Sequence, residues 1–321
     1  MFQISRRDLI VSATAAAATL GLNGTTTFIG AAAAGPLTET GFVKFKVGDI
    51  EMTALFDGIF SFPPNDEFIK GVKAAEIAEA LKAGGMSPAA IEIPLTILVA
   101  NIGGKQVMFD SGTGGQLGPT SGLMSAKNFA AAGIDPAKIA TILVTHFHPD
   151  HIFGMMAADT NAALFPNAEV VVPAAEMAYW TDAANIGKMP DQMKGLAGRA
   201  SATLGTWKNV RKAEPDTEVV PGVRSVSTFG HTPGHTSYQL ASGGKVLYIL
   251  GDVSNIPALF LKHPDWQSQF DIQGDLAAAT RHRMMDRVIA EGAMVAGYHY
   301  PFPGAGTVQK DGGGYAFVGA V

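Results

Sequence analysis

Cysteine is absent from this 321-residue sequence. The chain can therefore form no disulfide, and it offers no thiolate for a metal site, an iron–sulfur cluster or a cysteine nucleophile. Any metal site has to be built from histidine, aspartate and glutamate side chains. Basic runs are also lacking and the formal net charge is -5, so we expect no nucleic-acid partner.

Charged residues make up only 16% of the chain, whereas 47% of the residues are hydrophobic. This composition is typical of a globular protein with a sizeable core and not of a disordered or collagen-like chain. The length fits one large domain or two modest ones.

The first 34 residues have the features of an export signal. Arg6 and Arg7 precede a weakly apolar stretch, residues 11–22, and an alanine-rich run ends at Ala34. This arrangement is similar to a twin-arginine signal peptide that is removed near Ala34. A membrane anchor is the alternative, but polar residues from Asn23 onward interrupt the apolar run before the ~20 residues that a span needs.

We therefore expect a signal at residues 1–34, recognised by the twin-arginine export machinery, and a mature periplasmic domain at residues 35–321. No later segment predicts a stable membrane span. Because this route exports folded proteins, it suits an enzyme that acquires its metal before export. A homodimer is compatible with the sequence, which leaves the assembly open.

The mature domain contains the same order of predicted elements twice, in two rounds: a β-hairpin, and then strands mixed with helices. A β-hairpin begins at Phe42, and a buried strand over residues 139–145 belongs to the first round. The second round has predicted strands over residues 223–228, 237–241, 245–250 and 294–297. This repeated order predicts an α/β protein with two β-sheets face to face and helices outside them.

Four side chains that can bind metal occur within six residues, directly after a predicted strand: His146, His148, Asp150 and His151. On extended backbone His146 and His148 point the same way, because they are two residues apart. Pro149 ends the strand pattern, and a turn there lets Asp150 and His151 reach the other side of the same cleft. A single histidine is usually an ordinary core or surface residue, but this density is not explained that way. The spacing therefore predicts two metal ions a few ångströms apart.

Further candidate ligands lie at strand ends and in loops downstream. His231 and His235 share a Gly/Pro turn, whereas Asp252 and His299 each follow an apolar strand. Taken alone, Asp252 is equally well explained as a helix cap or an ion-pair partner. The histidine motif favours a ligand role for it.

The sequence resembles the metallo-β-lactamase superfamily, whose full ligand set is matched by His146, His148, Asp150, His151, His235, Asp252 and His299. The resemblance covers nearly the whole mature chain. The segments 230–236 and 298–304 are most similar to the branch of methyl parathion hydrolase and quorum-quenching lactonases. The resemblance implies an αββα sandwich with the metals at one edge, between the sheets.

The family pattern implies one metal held by His146, His148 and His235, a second held by Asp150, His151 and His299, and Asp252 bridging both. His231 is implied to support the site without binding metal. Asp110 has two interpretations: it orients a ligand histidine, or it caps its own Ser/Gly turn.

The ligand types suit Zn²⁺, the expected metal, and also Mn²⁺, Fe²⁺ or Co²⁺. A hydroxide bridging two such ions would be the nucleophile, and the ions would polarise the oxygen of an ester, lactone or phosphotriester. Asp150 and Asp252 are the catalytic candidates, with Asp150 moving a proton to the leaving group. Because the histidine ligands must be unprotonated, we expect metal binding to fail well below about pH 6.

The resemblance also implies a pocket for a small-molecule substrate. Trp180 stands where the organophosphate hydrolase has an aromatic pocket wall, although it fits a core position equally well. The two other aromatic wall positions are Leu117 and Leu196 here. The lactonase branch has a tyrosine three residues after the bridging aspartate, where this chain has Asn255. These departures leave the native substrate open.

A non-hydrolytic metal-binding or redox member of the same fold is the alternative function. A diiron electron-transfer relative usually has a glutamate where His148 stands, and often a flavin domain; this sequence has neither. A structural metal site is usually closed and four-coordinate, and β-lactamases usually lack the bridging aspartate. We therefore expect a dinuclear metallohydrolase.

Overall fold

The computed structural model describes residues 41–189 and 191–320. The predicted export signal at residues 1–34 lies outside the described residues. Among the helices that are described, none is both long enough and apolar enough to cross a membrane.

The described strands form two seven-stranded sheets, in each of which neighbours along the chain are neighbours in space. The strands of the first sheet, β1 to β7, are Phe42–Val47, Ile50–Phe62, Ile91–Ile102, Lys105–Phe109, Ile139–Leu143, Glu169–Pro173 and Val210–Ala213. The strands of the second sheet, β8 to β14, are Glu218–Val220, Val223–Ser227, Thr236–Ser242, Lys245–Ile249, Met294–Ala296, Ala305–Asp311 and Gly314–Gly319. Both sheets are mixed, because β4 to β7 run parallel in the first and β11 pairs parallel with β12 in the second.

Helices flank the sheets. The described α-helices, α1 to α7, are Ala74–Ala83, Phe129–Ala132, Pro149–Ile152, Ala174–Thr181, Ala183–Lys188, Asp191–Leu204 and Gly274–Ala290. Short 3₁₀ or π turns occur at Met124–Asn128, Pro136–Lys138, Phe153–Met155 and Pro257–Leu261.

The space between the sheets is filled by apolar side chains from both inner faces. Phe109 and Leu143 of the first sheet belong to the same buried cluster as Tyr238, Leu247 and Ile249 of the second. Each such side chain contributes about 1.5–3 kcal/mol when fully buried, so this layer holds the sheets together.

The outer faces of the sheets are covered by helices. The first sheet packs against α2, α4 and α6 through side chains that include Phe129 and Met177. The second sheet packs against α7 through Met284 and Val288. The predicted αββα sandwich is therefore confirmed.

The two sheets are joined by hydrogen bonds at the edge where β5 ends. Tyr238 Oη donates to the Val144 carbonyl over 2.6 Å, and the Thr236 amide donates to the Thr145 carbonyl over 3.0 Å. The strand predicted over residues 139–145 ends at Leu143, so the residues after it form a loop. Side chains that follow β4, β5, β11 and β12 meet at this edge, as expected where parallel strands end.

Candidate metal centre

The loop after β5 brings most of the metal-binding side chains to the site. Phe147 is fully buried in the core on one side of the loop, while His146 and His148 contact each other on the other side, with ring centroids 4.7 Å apart. Helix α3 then begins at Pro149, and its first turn contains Asp150 and His151. The proline suits this first helical position because its fixed φ is already helical and no backbone N–H is needed there.

The first cluster consists of His146, His148, His231 and Asp252, each of which offers a ligand atom within 4.8 Å of the others. His231 Nε2 lies 2.9 Å from His148 Nδ1 and 3.3 Å from Asp252 Oδ2. His146 Nε2 lies 4.0 Å from the same carboxylate oxygen. These donors converge closely enough to bind one cation.

The second cluster consists of Asp150, His151 and His299, whose ligand atoms also lie within 4.8 Å of one another. Asp150 Oδ2 lies 3.5 Å from His151 Nε2 and 3.4 Å from His299 Nε2. Asp252 faces this cluster as well, since its carboxylate oxygens lie 3.3 Å from His151 Nε2 and 3.2 Å from His299 Nε2. Asp252 therefore stands between the two clusters, as the resemblance implied for a bridging residue.

Of the two histidines in the Gly/Pro turn, the structure brings His231 and not His235 into the first cluster. His235 Nε2 accepts a hydrogen bond from the Asp252 backbone N–H over 2.9 Å, and His235 Nδ1 donates to Thr228. Burial and the neighbouring His231 lower the pKa of His235 to about 3, so this neutral ring has one donor and one acceptor, both in use. In this geometry the Asp252 N–H occupies the lone pair of His235, and His235 is not among the four residues of the first cluster, so its predicted metal role stays a prediction.

His231 lies within the first cluster and is hydrogen-bonded to a carboxylate. Its Nδ1 donates to Asp271 Oδ1 over 2.8 Å, which leaves Nε2 without a proton, directed at the first cluster and 2.9 Å from His148 Nδ1. A carboxylate behind a ligand histidine fixes the tautomer in this way at many metal sites. Asp271 was not singled out in the sequence, because nothing in the local pattern relates it to a histidine 40 residues away.

Asp110 orients a histidine of the second cluster. Its carboxylate accepts hydrogen bonds from His151 Nδ1 over 2.8 Å, from the Thr145 N–H over 2.7 Å and from Thr145 Oγ1 over 2.8 Å. The first of the two interpretations of Asp110 therefore agrees with the geometry. The nearby turn is instead held by the buried Asp57, which accepts from the Thr113 N–H and Oγ1 and from the Met124 N–H.

His146 and His299 are also hydrogen-bonded at the ring nitrogen that faces away from the site. His146 Nδ1 donates to Thr145 Oγ1 over 3.0 Å, and His299 Nδ1 donates to the Pro94 carbonyl over 2.9 Å. Since a neutral imidazole has a single N–H, these bonds leave Nε2 of either ring as an acceptor at the site when that ring is neutral. When neutral, these two histidines are therefore held in the tautomer that a cation needs.

The residues fit a pair of divalent cations. His146 Nε2, His151 Nε2 and Asp252 Oδ1 are buried and have no hydrogen-bond partner among the described residues. A buried polar atom without a partner is costly, and cations bound between these atoms would satisfy all three. Nitrogen and carboxylate donors of this kind suit Zn²⁺ and other first-row divalent metals.

The protonation of the metal-free site differs between the clusters. Burial and neighbouring histidines lower the pKa of His146 and of His148 well below 6.5. Burial acts the same way on His151 and His299, but Asp252 and other carboxylates outweigh it and raise the pKa of both. Although burial opposes it, the attraction of His299 and His151 lowers the pKa of Asp252.

Glu176, in α4, joins the two loops of the site and was not anticipated from the sequence. Its fully buried carboxylate accepts from the Phe147 N–H and Trp180 Nε1 at one oxygen, and from Thr232 Oγ1 and the Gly234 N–H at the other. Burial raises the pKa of Glu176, while these four donors act to lower it. A glutamate inside an apolar helix face carries no local signal for this role.

A cavity of about 1050 Å³ opens above the clusters, and Asp150, Asp252 and His299 line it. Its wall also includes Leu117, Leu196 and Asn255, three of the four residues predicted for the pocket.

Trp180 is not among the residues that line this cavity, which agrees with the core interpretation of this residue and not with the pocket interpretation. The side chain is fully buried, donates its indole N–H to Glu176 and packs behind His148, with ring centroids 6.2 Å apart. The adjacent Tyr179 lines the cavity instead. The sequence alone could not place two neighbouring helix residues on opposite sides.

Comparison with known proteins agrees with this site. A family model described as the metallo-beta-lactamase superfamily matches residues 92–293, which is more than half of the chain. Among solved structures, the hydrolase AbOPH of the beta-lactamase superfamily is 27% identical, with a TM-score of 0.80 over 88% of this chain and 98% of that chain. No curated protein matches the sequence significantly.

Two further structures share the fold at lower identity. AidC, a dizinc quorum-quenching lactonase in complex with the product N-hexanoyl-L-homoserine, is 24% identical, with a TM-score of 0.80 over 88% of this chain and 98% of that chain. A probable metal-dependent hydrolase from Staphylococcus aureus is 22% identical, with a TM-score of 0.67 over 86% of this chain and 100% of that chain. The superfamily predicted from the sequence is confirmed, and a hydrolase and a lactonase are among the matches, as expected for the stated branch. The chain belongs to the metallo-β-lactamase superfamily.

Proposed function

We propose that this protein is a dinuclear metal-dependent hydrolase that cleaves an ester, lactone or phosphotriester bond in a small molecule. The observation that carries the proposal is the pair of donor clusters that share Asp252 and open into a cavity of about 1050 Å³. A cavity of this size accommodates a drug-sized substrate beside the donors.

The donor sets divide between two cations. His146, His148 and His231 would hold one, Asp150, His151 and His299 the other, and Asp252 would contact both. Two divalent ions, with Zn²⁺ the expected metal, would supply an activated water as the nucleophile and polarise the carbonyl or phosphoryl oxygen.

Asp150 is the residue proposed to move a proton to the leaving group. Its side chain is 15% exposed, compared with 4% for Asp252, and it faces the cavity. The Tyr298 hydroxyl donates to the Asp150 carbonyl over 2.6 Å and so fixes the backbone at this position. The apolar part of the cavity wall, including Leu117 and Leu196, would exclude water from the bound substrate and strengthen these interactions.

The test combines metal analysis with a substrate panel. We expect protein purified without chelator to contain about two metal ions per chain, and to hydrolyse at least one of p-nitrophenyl esters, lactones or methyl paraoxon. Chelation should abolish the activity, and Zn²⁺, Mn²⁺ or Co²⁺ should restore it. Full activity with a single metal would contradict the dinuclear mechanism, and a metal-loaded protein with redox activity but no hydrolysis would favour the non-hydrolytic alternative.

We also propose that residues 1–34 are a twin-arginine signal and that the mature enzyme, residues 35–321, acts in the periplasm. The paired Arg6 and Arg7 ahead of a weakly apolar stretch support this proposal. Replacing both with lysine should trap an unprocessed precursor in the cytoplasm, as shown by fractionation. Normal periplasmic delivery of that variant would contradict it.

A further inference from the structure

A buried carboxylate holds both ends of a loop that forms part of the cavity wall. Asp57 is fully buried in β2. Its Oδ2 accepts hydrogen bonds from the Thr113 N–H over 2.8 Å and from Thr113 Oγ1 over 3.0 Å, and its Oδ1 accepts from the Met124 N–H over 3.0 Å. Because these donors lie at opposite ends of the segment 113–124, one carboxylate closes the whole segment, which we call the 113–124 loop.

A β-bulge in β2 explains how Asp57 reaches this loop. The pairing of β2 with β3 shifts between Phe56 and Gly58, so Asp57 is the extra residue of the bulge. A bulge bends its strand and re-aims a side chain. Gly58, with a φ of +134°, then allows a close approach, because a Cβ on it would overlap the Thr120 carbonyl oxygen. The Ile59 N–H donates to the same carbonyl over 3.1 Å. The bulge therefore provides both the carboxylate and the backbone that receive the loop.

The 113–124 loop depends on contacts from outside it. It contains four glycines with positive φ: Gly114, Gly115, Gly118 and Gly122. Ordering glycine costs more backbone entropy than ordering any other residue, so such a loop has little rigidity of its own. Besides Asp57, the turn after α3 holds it, since Gln116 Nε2 donates to the carbonyls of Phe153 and Met156 over 2.8 Å and 2.9 Å. Residues 117–120 of the loop line the cavity, so the contacts that hold the loop also fix this part of the wall.

We infer that Asp57 is a positioning residue for the substrate, because by holding both ends of the 113–124 loop it sets how far Leu117 reaches into the cavity. The inference rests on the proposed function. Burial raises the pKa of Asp57, and its hydrogen bonds to the loop act to lower it, so the loop stabilises the charged form. A carboxylate accepts at both oxygens, whereas an asparagine keeps one oxygen and would turn an NH₂ group towards a donor. Asp57→Asn therefore releases one end of the loop with little change in side-chain size.

The test is a double-mutant cycle of Asp57→Asn and Leu117→Ala. The metal-loaded protein is assayed with p-nitrophenyl hexanoate at about pH 8, where an aspartate is ionised. Each single variant should raise the KM about tenfold and change kcat little, because the wall changes and the metal ligands do not. The double variant should also raise the KM about tenfold, since Leu117 contributes little once its loop is displaced. A rise of about a hundredfold in the double variant, or an unchanged KM in Asp57→Asn, would overturn the inference.

Asp216→Asn is the matched control. The Asp216 carboxylate also accepts from the N–H and the hydroxyl of one residue, Ser227, over 3.1 Å and 3.0 Å, but Asp216 is not among the described residues that line the cavity. This variant should have the wild-type KM and metal content. An equal rise in KM in Asp57→Asn and Asp216→Asn would overturn the inference. Loss of bound metal from Asp57→Asn would also overturn it, because the effect would then arise at the metal centre.

A milder variant keeps the inference testable if Asp57→Asn does not fold. Thr113→Val leaves the backbone N–H of the loop in place but removes the hydroxyl that donates to Asp57 and accepts from the Gly115 N–H. The KM should rise about threefold in this variant, and the same cycle with Leu117→Ala should again be non-additive. A lower Tm with an unchanged KM would show that the contact is only structural, and would overturn the inference.

Ligand binding separates this inference from the proposed function. Hexanophenone is similar in shape to a phenyl ester of hexanoic acid but cannot be hydrolysed, and calorimetry with the metal-loaded protein gives its Kd for the wild type and each variant of the cycle. The same non-additive pattern in Kd supports the inference even if no ester is hydrolysed. Failure to hydrolyse any ester contradicts only the proposed function, whereas additive changes in Kd, or no binding to the wild type, would overturn the inference.

Discussion

The two donor clusters use the same ligand types at the same edge of the sandwich, but they differ in protonation. In the first cluster, burial and neighbouring histidines lower the pKa of His146 and His148. In the second, carboxylates outweigh burial and raise the pKa of His151 and His299. The comparison shows that the placement of carboxylates around a histidine, and not the ligand set alone, decides whether a cation has to displace a proton.

The largest effect is expected for the residue that both clusters share. Asp252→Asn keeps the shape of the side chain but removes a negative charge between two cations. We expect fewer than two bound metals and a fall in turnover of at least about a hundredfold, or roughly 3 kcal/mol of barrier. Elemental analysis and kcat at saturating Zn²⁺ provide the measurement. A variant with two metals and a near-normal rate would contradict a bridging role.

The next prediction separates His231 from His235. His231→Asn removes a donor of the first cluster only, so we expect about one metal per chain at trace Zn²⁺ and a rate loss of about tenfold to a hundredfold. His235→Asn should keep both metals, because its Nε2 is occupied by the Asp252 N–H; its main cost should be stability. Loss of one metal from His235→Asn, with two retained in His231→Asn, would restore the assignment made from the sequence.

Each cluster has one histidine whose Nδ1 donates to a carboxylate, so the same substitution can be made at both carboxylates and the effects compared. Asp271→Asn weakens the support of His231, and Asp110→Asn weakens that of His151. Each should lower metal affinity about 10–100-fold, but at different clusters. The affinity of each site for Co²⁺ can be measured by titrating the Co²⁺-loaded protein with a chelator and recording the absorption spectrum. In each variant the affinity should fall at one site only. If both variants lose the same site, the two clusters do not bind separately.

The pH dependence of metal binding should also distinguish the clusters. Because the pKa of His151 and His299 is raised above 6.5, the second cluster should begin to lose its cation above pH 6.5, before the first. In the metal-free protein, the histidines of the two clusters change the free energy of unfolding in opposite directions as the pH changes. The raised pKa values add stability at low pH that is lost as the pH rises, whereas the lowered ones of His146 and His148 remove stability as the pH falls below 6.5. Metal content at fixed free Zn²⁺ between pH 8 and about 5 should therefore fall in two steps, and one step would contradict the difference.

The smallest effect on catalysis is expected at Trp180. Trp180→Phe removes the hydrogen bond to Glu176 and some buried volume, so the free energy of unfolding should fall by roughly 2 kcal/mol. The KM should be unchanged, because Trp180 does not line the cavity. Leu117→Ala, in the cavity wall, is the control and should raise the KM. A change in KM for Trp180→Phe alone would contradict the assignment.

Much of the fold was predictable where the sequence pattern is local. The β-hairpin predicted to begin at Phe42 is formed by β1 and β2, because apolar periodicity reports directly on one buried face. Strands β13 and β14 were not predicted. They contain glycine and exposed polar residues such as Gln309 and Lys310, and their conformation depends on pairing with each other and with β12.

By itself, the sequence determined the chemistry of the donors and their approximate place. Four donors after one apolar strand, with no cysteine anywhere in the chain, restrict the site to imidazole and carboxylate ligands at a strand end. Those inferences need only side-chain chemistry and the geometry of a short segment.

Only the tertiary structure decided which donors face the site. His231 and His235 lie in one turn and look alike in sequence, but the ring of the first is hydrogen-bonded to Asp271 and lies in the first cluster, whereas Nε2 of the second accepts from the Asp252 backbone. The partners lie 40 and 17 residues away along the chain. A hydrogen bond between distant segments depends on how the sheets pack, and local sequence carries no record of that packing.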